Sequence, residues 1–231
     1  MPELVDVLDA AKALGVAPSR VRALIADGAL DADKLGGRWV VHWESVVARR
    51  RGSAAPGRPM TSRNAWALLL IASGETPPSD LDPHARWRIG QTLKHHGLSD
   101  LGGRLDRRAA ARSMWALPGE LRAMRDDGAL VLTGSSAVGV LRLDLAAPDT
   151  LDAYVPEGRR DAVVEEYGLE PAPVSRANVI LRAVPDEAWS LASRRVAPSA
   201  AVGVDLAGYV DSRSTRVGRD LLARLDAERV P

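Results

Sequence analysis

The sequence predicts an α+β protein in two parts. A small N-terminal part holds two short helices and a two-stranded ribbon. A larger mixed α/β part follows, and its first half is helical. Three observations carry this reading. Apolar residues recur at helical spacing twice before Leu30, and the pattern then turns extended around Gly36-Gly37. A Pro/Gly/Ser-rich stretch, GSAAPGRP at Gly52–Pro59, interrupts both patterns. Beyond it, helical periodicity runs to about Trp115, after which short extended runs alternate with helices. The expected division is residues 1–51, a linker over 52–60, and a second domain over 61–231.

The elements follow in order. Asp6–Leu14 (DVLDAAKAL) sets Val7, Ala10, Ala11 and Leu14 on one helical face, and Gly15 ends it. Pro18 opens the next helix at a first-turn position, where its missing N–H does no harm. Val21, Leu24 and Ile25 form its apolar face, and Gly28 is its expected C-cap. Leu30–Val41 reads as a ribbon turning at Gly36-Gly37, and Trp43–Arg51 as a third helix. Past the linker, helices are expected over Thr61–Ser73 (capped by Thr61 or Ser62), His84–His96, Leu101–Trp115 and Glu120–Arg125. Strands are expected at Ala129–Thr133, Val138–Leu145, Thr150–Val155 and Asn178–Val184, with a helix at Arg159–Tyr167. Val202–Tyr209 is compatible with helix or strand. Thr215–Arg229 is amphipathic, with Val217, Leu221, Leu222 and Leu225 inward and Arg213, Arg216, Arg219 and Arg224 on the other side.

Composition narrows the function. The 231 residues are 46% apolar, enough to bury a core. Cysteine is absent, which excludes disulfides, thiolate metal sites and a cysteine nucleophile. The N-terminus lacks a basic segment followed by an apolar one, and the longest apolar run, AWALLLIA at Ala65–Ala72, is too short to span a bilayer. A soluble, cytoplasmic protein with no membrane partner is expected. Charge is unevenly spread. Met1–Arg125 carries 19 lysines and arginines against 13 acids, and Asp126–Pro231 carries 12 against 17. A basic front half is suited to a polyanion.

Two short helices joined by a turn, followed by a GG hairpin, form a winged helix-turn-helix. In that geometry the second helix enters the major groove. Packing occupies Val21, Leu24 and Ile25, which leaves Ser19, Arg20 and Arg22 for DNA. An arginine fork matches guanine O6/N7 or a phosphate. Lys34 and Arg38 flank the hairpin tip, a placement suited to phosphate or minor-groove contact. Arg49, Arg50 and Arg51 add sequence-independent attraction. Helix pairs with a glycine turn also occur in proteins that bind no DNA; the hairpin and the arginine cluster together separate this chain from them. Asp27, Asp31 and Asp33 stand against the reading unless they face away from the groove. The stretch DAAKALGVAPSRVRALIADGAL…KLGGRWVV resembles the excisionase/MerR-like winged helix-turn-helix family over Leu4–Arg51. It departs at Ala17, where the family carries a serine or threonine cap.

In the back half, LVLTGSSAVGVLRLDL at Leu130–Leu145 raises an enzymatic alternative. Nucleotidyltransferases carry Gly-Ser followed by two carboxylates one residue apart, which hold two metal ions. Gly134-Ser135 and Asp144 are present, but the second carboxylate position is Ala146. Adjacent His95-His96 point in different directions on a helix and make a poor chelate. No nucleophile elbow, Walker A loop or dinucleotide fingerprint occurs. No catalytic residue, metal or cofactor is therefore expected. The six tryptophans are expected to fill cores, with Trp39 and Trp43 bracing the hairpin.

The segments RLDRRAAARSMWALPGELRAMRDDGALVLTGSSA and DSRSTRVGRDLLARL, in this order after the N-terminal part, resemble the AbiEi-type antitoxins of type IV toxin–antitoxin systems. The resemblance implies a repressor acting on its own operon by binding double-stranded DNA at an inverted repeat. It also implies a functional partner of the nucleotidyltransferase-type toxin class encoded nearby, without assigning a surface that touches it. The alternative is a regulator whose second domain senses a ligand or a protein.

Overall fold

The computed structural model describes residues 4–26, 30–43, 45–46, 49, 59–146, 149–209 and 211–229. The fold is mixed α and β. Near the N-terminus, β1 (Leu4–Asp6), β2 (Ala32–Leu35) and β3 (Arg38–His42) make an antiparallel sheet in the order β1-β3-β2. The expected ribbon thus gains a third strand, β1. That strand is too short to show a period but pairs Val5 with Val41. Helix α1 (Val7–Leu14) starts at Asp6, whose carboxylate accepts the Asp9 N–H at 2.7 Å. Helix α2 (Pro18–Ala26) starts without a side-chain cap: the Ala17 carbonyl takes its first bonds from the Arg20 and Val21 N–H groups. Val7, Ala10, Ala11, Val21, Leu24, Leu30, Val41 and Val46 close a small core beneath them. The expected C-cap at Gly28, most of the expected third helix and residues 52–58 of the expected linker lie outside the described residues.

The second part is organised by a five-stranded sheet of order β5-β6-β8-β4-β7. Its members are β4 (Ala110–Trp115), β5 (Val131–Leu132), β6 (Leu151–Pro156), β7 (Glu170–Pro171) and β8 (Val179–Val184). Only β6 and β8 run parallel. Both central strands are buried on both faces, and their side chains alternate. Leu151, Ala153, Val155, Val179 and Leu181 face a core with α5 (Pro118–Asp126) and α6 (Arg160–Glu166). Tyr154 and Val184 face the other core. That larger core is built from α3 (Ser62–Ala72), α4 (Pro83–His95), α7 (Asp186–Ala192), α8 (Ser199–Ala207) and α9 (Ser212–Arg229). Thr61 caps α3 as expected, accepting the Asn64 N–H at 3.4 Å. No described helix is long and apolar enough to cross a membrane.

Two of the expected elements are corrected, and one open alternative is resolved. Leu101–Trp115 is not one helix: a 3-10 segment at Leu98–Arg108 leads into strand β4. Val138–Leu145 is not a strand but successive turns, held by local bonds such as Leu143 N–H to the Val138 carbonyl at 2.9 Å. The ambiguous Val202–Tyr209 stretch is mostly helix, within α8, because its residues from Val202 to Leu206 are buried all round.

Candidate nucleic-acid interface

Helix α2 buries Val21 and Leu24 and leaves Ser19, Arg20 and Arg22 exposed. The helix period accounts for both sets at once: the packed residues lie three apart, and the arginines fall on either side of them. The sheet places the second group. Register pairs Leu35 with Arg38 and Lys34 with Trp39, so Lys34 and Arg38 both sit beside the two-glycine tip. Gly36 and Gly37 have φ of 56° and 82°, a left-handed pair that permits the tight turn. Trp39 departs from its expected packing role. It is 38% exposed, and the Lys34 ammonium lies 5.9 Å from its ring centroid, within cation–π range.

Two of the three acids near this surface have partners. Asp33 meets His42 Nε2 at 3.0 Å. Asp31 accepts the Val174 N–H at 3.0 Å, which ties the first sheet to the loop after β7. Burial raises the Asp31 pKa above the ordinary carboxylate value, and that hydrogen bond only partly offsets it. Asp27 lies outside the described residues. Of the arginine triplet, Arg49 is half-buried, and its charge bears on Asp106 of the second part. Arg50 and Arg51 lie outside the described residues.

A second constellation is not anticipated from the sequence. Asp205 of α8 is fully buried and accepts three hydrogen bonds, from Arg108 Nη2 at 2.5 Å and from Thr133 Oγ1 and Tyr154 Oη each at 2.6 Å. Arg182 Nη1 lies 3.1 Å away as an ion-pair partner. Arg182 also forks onto Asp152 through Nε at 2.7 Å and Nη2 at 2.9 Å, and Tyr209 Oη donates to Asp152 at 2.7 Å. Burial alone would raise the Asp205 pKa; the Arg182 and Arg108 guanidiniums outweigh it and hold the carboxyl below its ordinary value. Two buried carboxylates thus face two buried guanidiniums, and each carboxylate accepts three hydrogen bonds. Removing one partner from such a set costs about 3–5 kcal/mol, because a charge is left buried and uncompensated. The sequence signal was present in two apolar strands interrupted by charge: Asp152 within LDAYVP and Arg182 within VILRAV.

This network explains the Gly134-Ser135 pair. Gly134 has φ 46°, and a Cβ there would stand 2.7 Å from Tyr209 Oη and closer still to Asp152. Ser135 is buried, and its N–H donates to Tyr209 Oη at 3.1 Å. Asp144 is instead fully exposed, 3.8 Å from Arg213. The glycine-serine pair seats the sheet against α8, and Asp144 sits apart from that buried setting. A cleft of about 290 Å³ also opens between the first sheet and the second, lined by residues including Asp31, His42, Arg112 and Pro171.

No family model matches the chain, and neither a curated protein nor a solved structure matches it at a significant level.

Proposed function

We propose that this chain is a sequence-specific, DNA-binding transcriptional repressor of the antitoxin type, acting on its own operon. One observation carries the reading. Ser19, Arg20 and Arg22 stand exposed on α2 away from its packed face, and Lys34 and Arg38 stand exposed at the adjoining two-glycine tip. This is the arrangement a winged helix-turn-helix needs. The helix supplies base contacts, and the hairpin supplies phosphate or minor-groove contacts. The hydrogen bond of Asp31 to the Val174 N–H and the pairing of Asp33 with His42 support a phosphate-facing surface beside them. A single short helix reads only a few base pairs, so an inverted repeat bound by two copies is the fitting operator. The resemblance to AbiEi-type antitoxins adds a nucleotidyltransferase-type toxin encoded nearby as the functional partner, and a cytoplasmic setting. The test is a gel shift with the fragment upstream of the chain's own operon. Selective, salt-sensitive binding is expected, and its absence on every upstream fragment would refute the proposal.

A second reading draws on the cleft between the two sheets. A ligand seated there would touch Asp31 and His42 on one side and Arg112 on the other. It would thereby bias how the DNA-facing part is held. On this reading the chain is a ligand-sensing regulator with no toxin. A neighbouring gene for a nucleotidyltransferase separates the two.

A further inference from the structure

The outer face of α4 is basic and aromatic, and among the described residues it is unpartnered. The helix, PHARWRIGQTLKH, contains no acidic residue, and its capping Asp82 is occupied by the Ala85 N–H at 2.8 Å. Ala85 and Ile89 are buried against the core. At about 100° per residue, His84, Trp87, Arg88, Lys94 and His95 fall within about 120° of arc on the opposite side, along about 16 Å of helix. Trp87 is 65% exposed, the most exposed large apolar side chain among the described residues. Among those residues its ring meets no other ring and no cation, and Arg88 and Lys94 have no ion-pair partner. The nearest acid in sequence after Asp82 is Asp80, which Arg63 holds at 2.5 Å.

A core-filling tryptophan would not stand out in water between two cations. We infer that this face of α4 binds single-stranded nucleic acid, with a base stacked on Trp87 and neighbouring phosphates on Arg88 and Lys94. The charge selects a polyanion. The exposed ring selects an unpaired strand, because a duplex hides its base faces and a single strand offers them. The inference stands apart from the α2 surface and does not depend on it.

The test is fluorescence anisotropy of labelled oligothymidylate and oligouridylate with the full chain, with a duplex of equal length as competitor. Salt-sensitive binding of at least one single strand is expected. Trp87→Ala should weaken it about tenfold or more, and Trp87→Tyr should restore most of it. The substitution is on an exposed side chain, and an unchanged circular dichroism melt of Trp87→Ala checks that the fold survives. Replacing both Arg88 and Lys94 with alanine should flatten the salt dependence, by about 0.7 in logarithmic slope for each phosphate no longer neutralised. Three results would each overturn the inference: no binding to either single strand, equal binding by Trp87→Ala, or displacement by the duplex as readily as by the single strand. The first of these would leave an acidic protein as the occupant of the face.

Discussion

Arg22 and Arg38 are both exposed arginines in different settings, and the proposed function gives them different work. Arg22 projects from a helix whose other face is packed, so its fork has a fixed origin from which to address a base edge. Arg38 begins β3 beside a two-glycine tip, a setting better suited to following a phosphate than to discriminating a base. Gel shifts with the operator and with scrambled duplexes separate the two roles. Arg22→Ala should lose about 1–3 kcal/mol on the operator and little elsewhere, relaxing base preference. Arg38→Ala should weaken every duplex about equally and reduce the salt dependence by about one phosphate's worth. Identical losses on all duplexes for both variants would exclude base reading by Arg22.

At the scale of elements, α8 and α9 cross where two glycines meet. A Cβ on Gly218 would lie 2.8 Å from the Gly203 carbonyl and nearer still to the Ala207 nitrogen, clashes with backbone that no rotamer change relieves. Gly218→Ala should therefore destabilise the chain. Overpacking costs about 1–3 kcal/mol, against a gain of up to about 1 kcal/mol from helix propensity. Gly90 on α4 has open space around it, so Gly90→Ala should act with the opposite sign. Thermal denaturation of both variants checks the pair, and a stabilised Gly218→Ala would show that the two helices can part at little cost. The same scale shows what the sequence could reveal. The residues α1 and α2 bury, and those α9 buries, follow a 3.6-residue period set by local packing, and the arginines left over on α2 define the candidate site directly. Strand β4 was hidden because Ala110–Trp115 is rich in helix formers. Its state is fixed by pairing with β8, about 70 residues away, a tertiary effect that propensity does not report. The alternation in VGVLRLDL resembles a strand, but Arg142 sits at φ 52°, a left-handed turn conformation that interrupts extension. Trp87 shows the limit for surfaces: a tryptophan count cannot tell a core ring from an exposed one.

At the scale of the molecule, the buried charges and the tyrosines join elements that are far apart in sequence. Tyr154 links β6 to α8 through Asp205, and Tyr209 links the end of α8 to β6 through Asp152. Tyr167 closes α6 onto α5 by donating to Asp127 at 3.1 Å. These are the chain's three tyrosines, and each is held above its ordinary pKa, by burial first and then by the carboxylate it meets. For Tyr167 the value is pushed up to about 12. In the unfolded chain they ionise near the usual value of about 10. The folded state therefore keeps phenol protons that the unfolded state releases. The stabilisation this represents is complete below a pH of about 10 and is lost as pH rises through the folded values. Stability measured by denaturant titration should fall steeply on entering that alkaline range. Tyrosinate absorbance should then develop together with the loss of helical circular dichroism. Phenolate appearing at the ordinary pH with the dichroism intact would show that the carboxylate–tyrosine pairs do not bind the sheet to its helices.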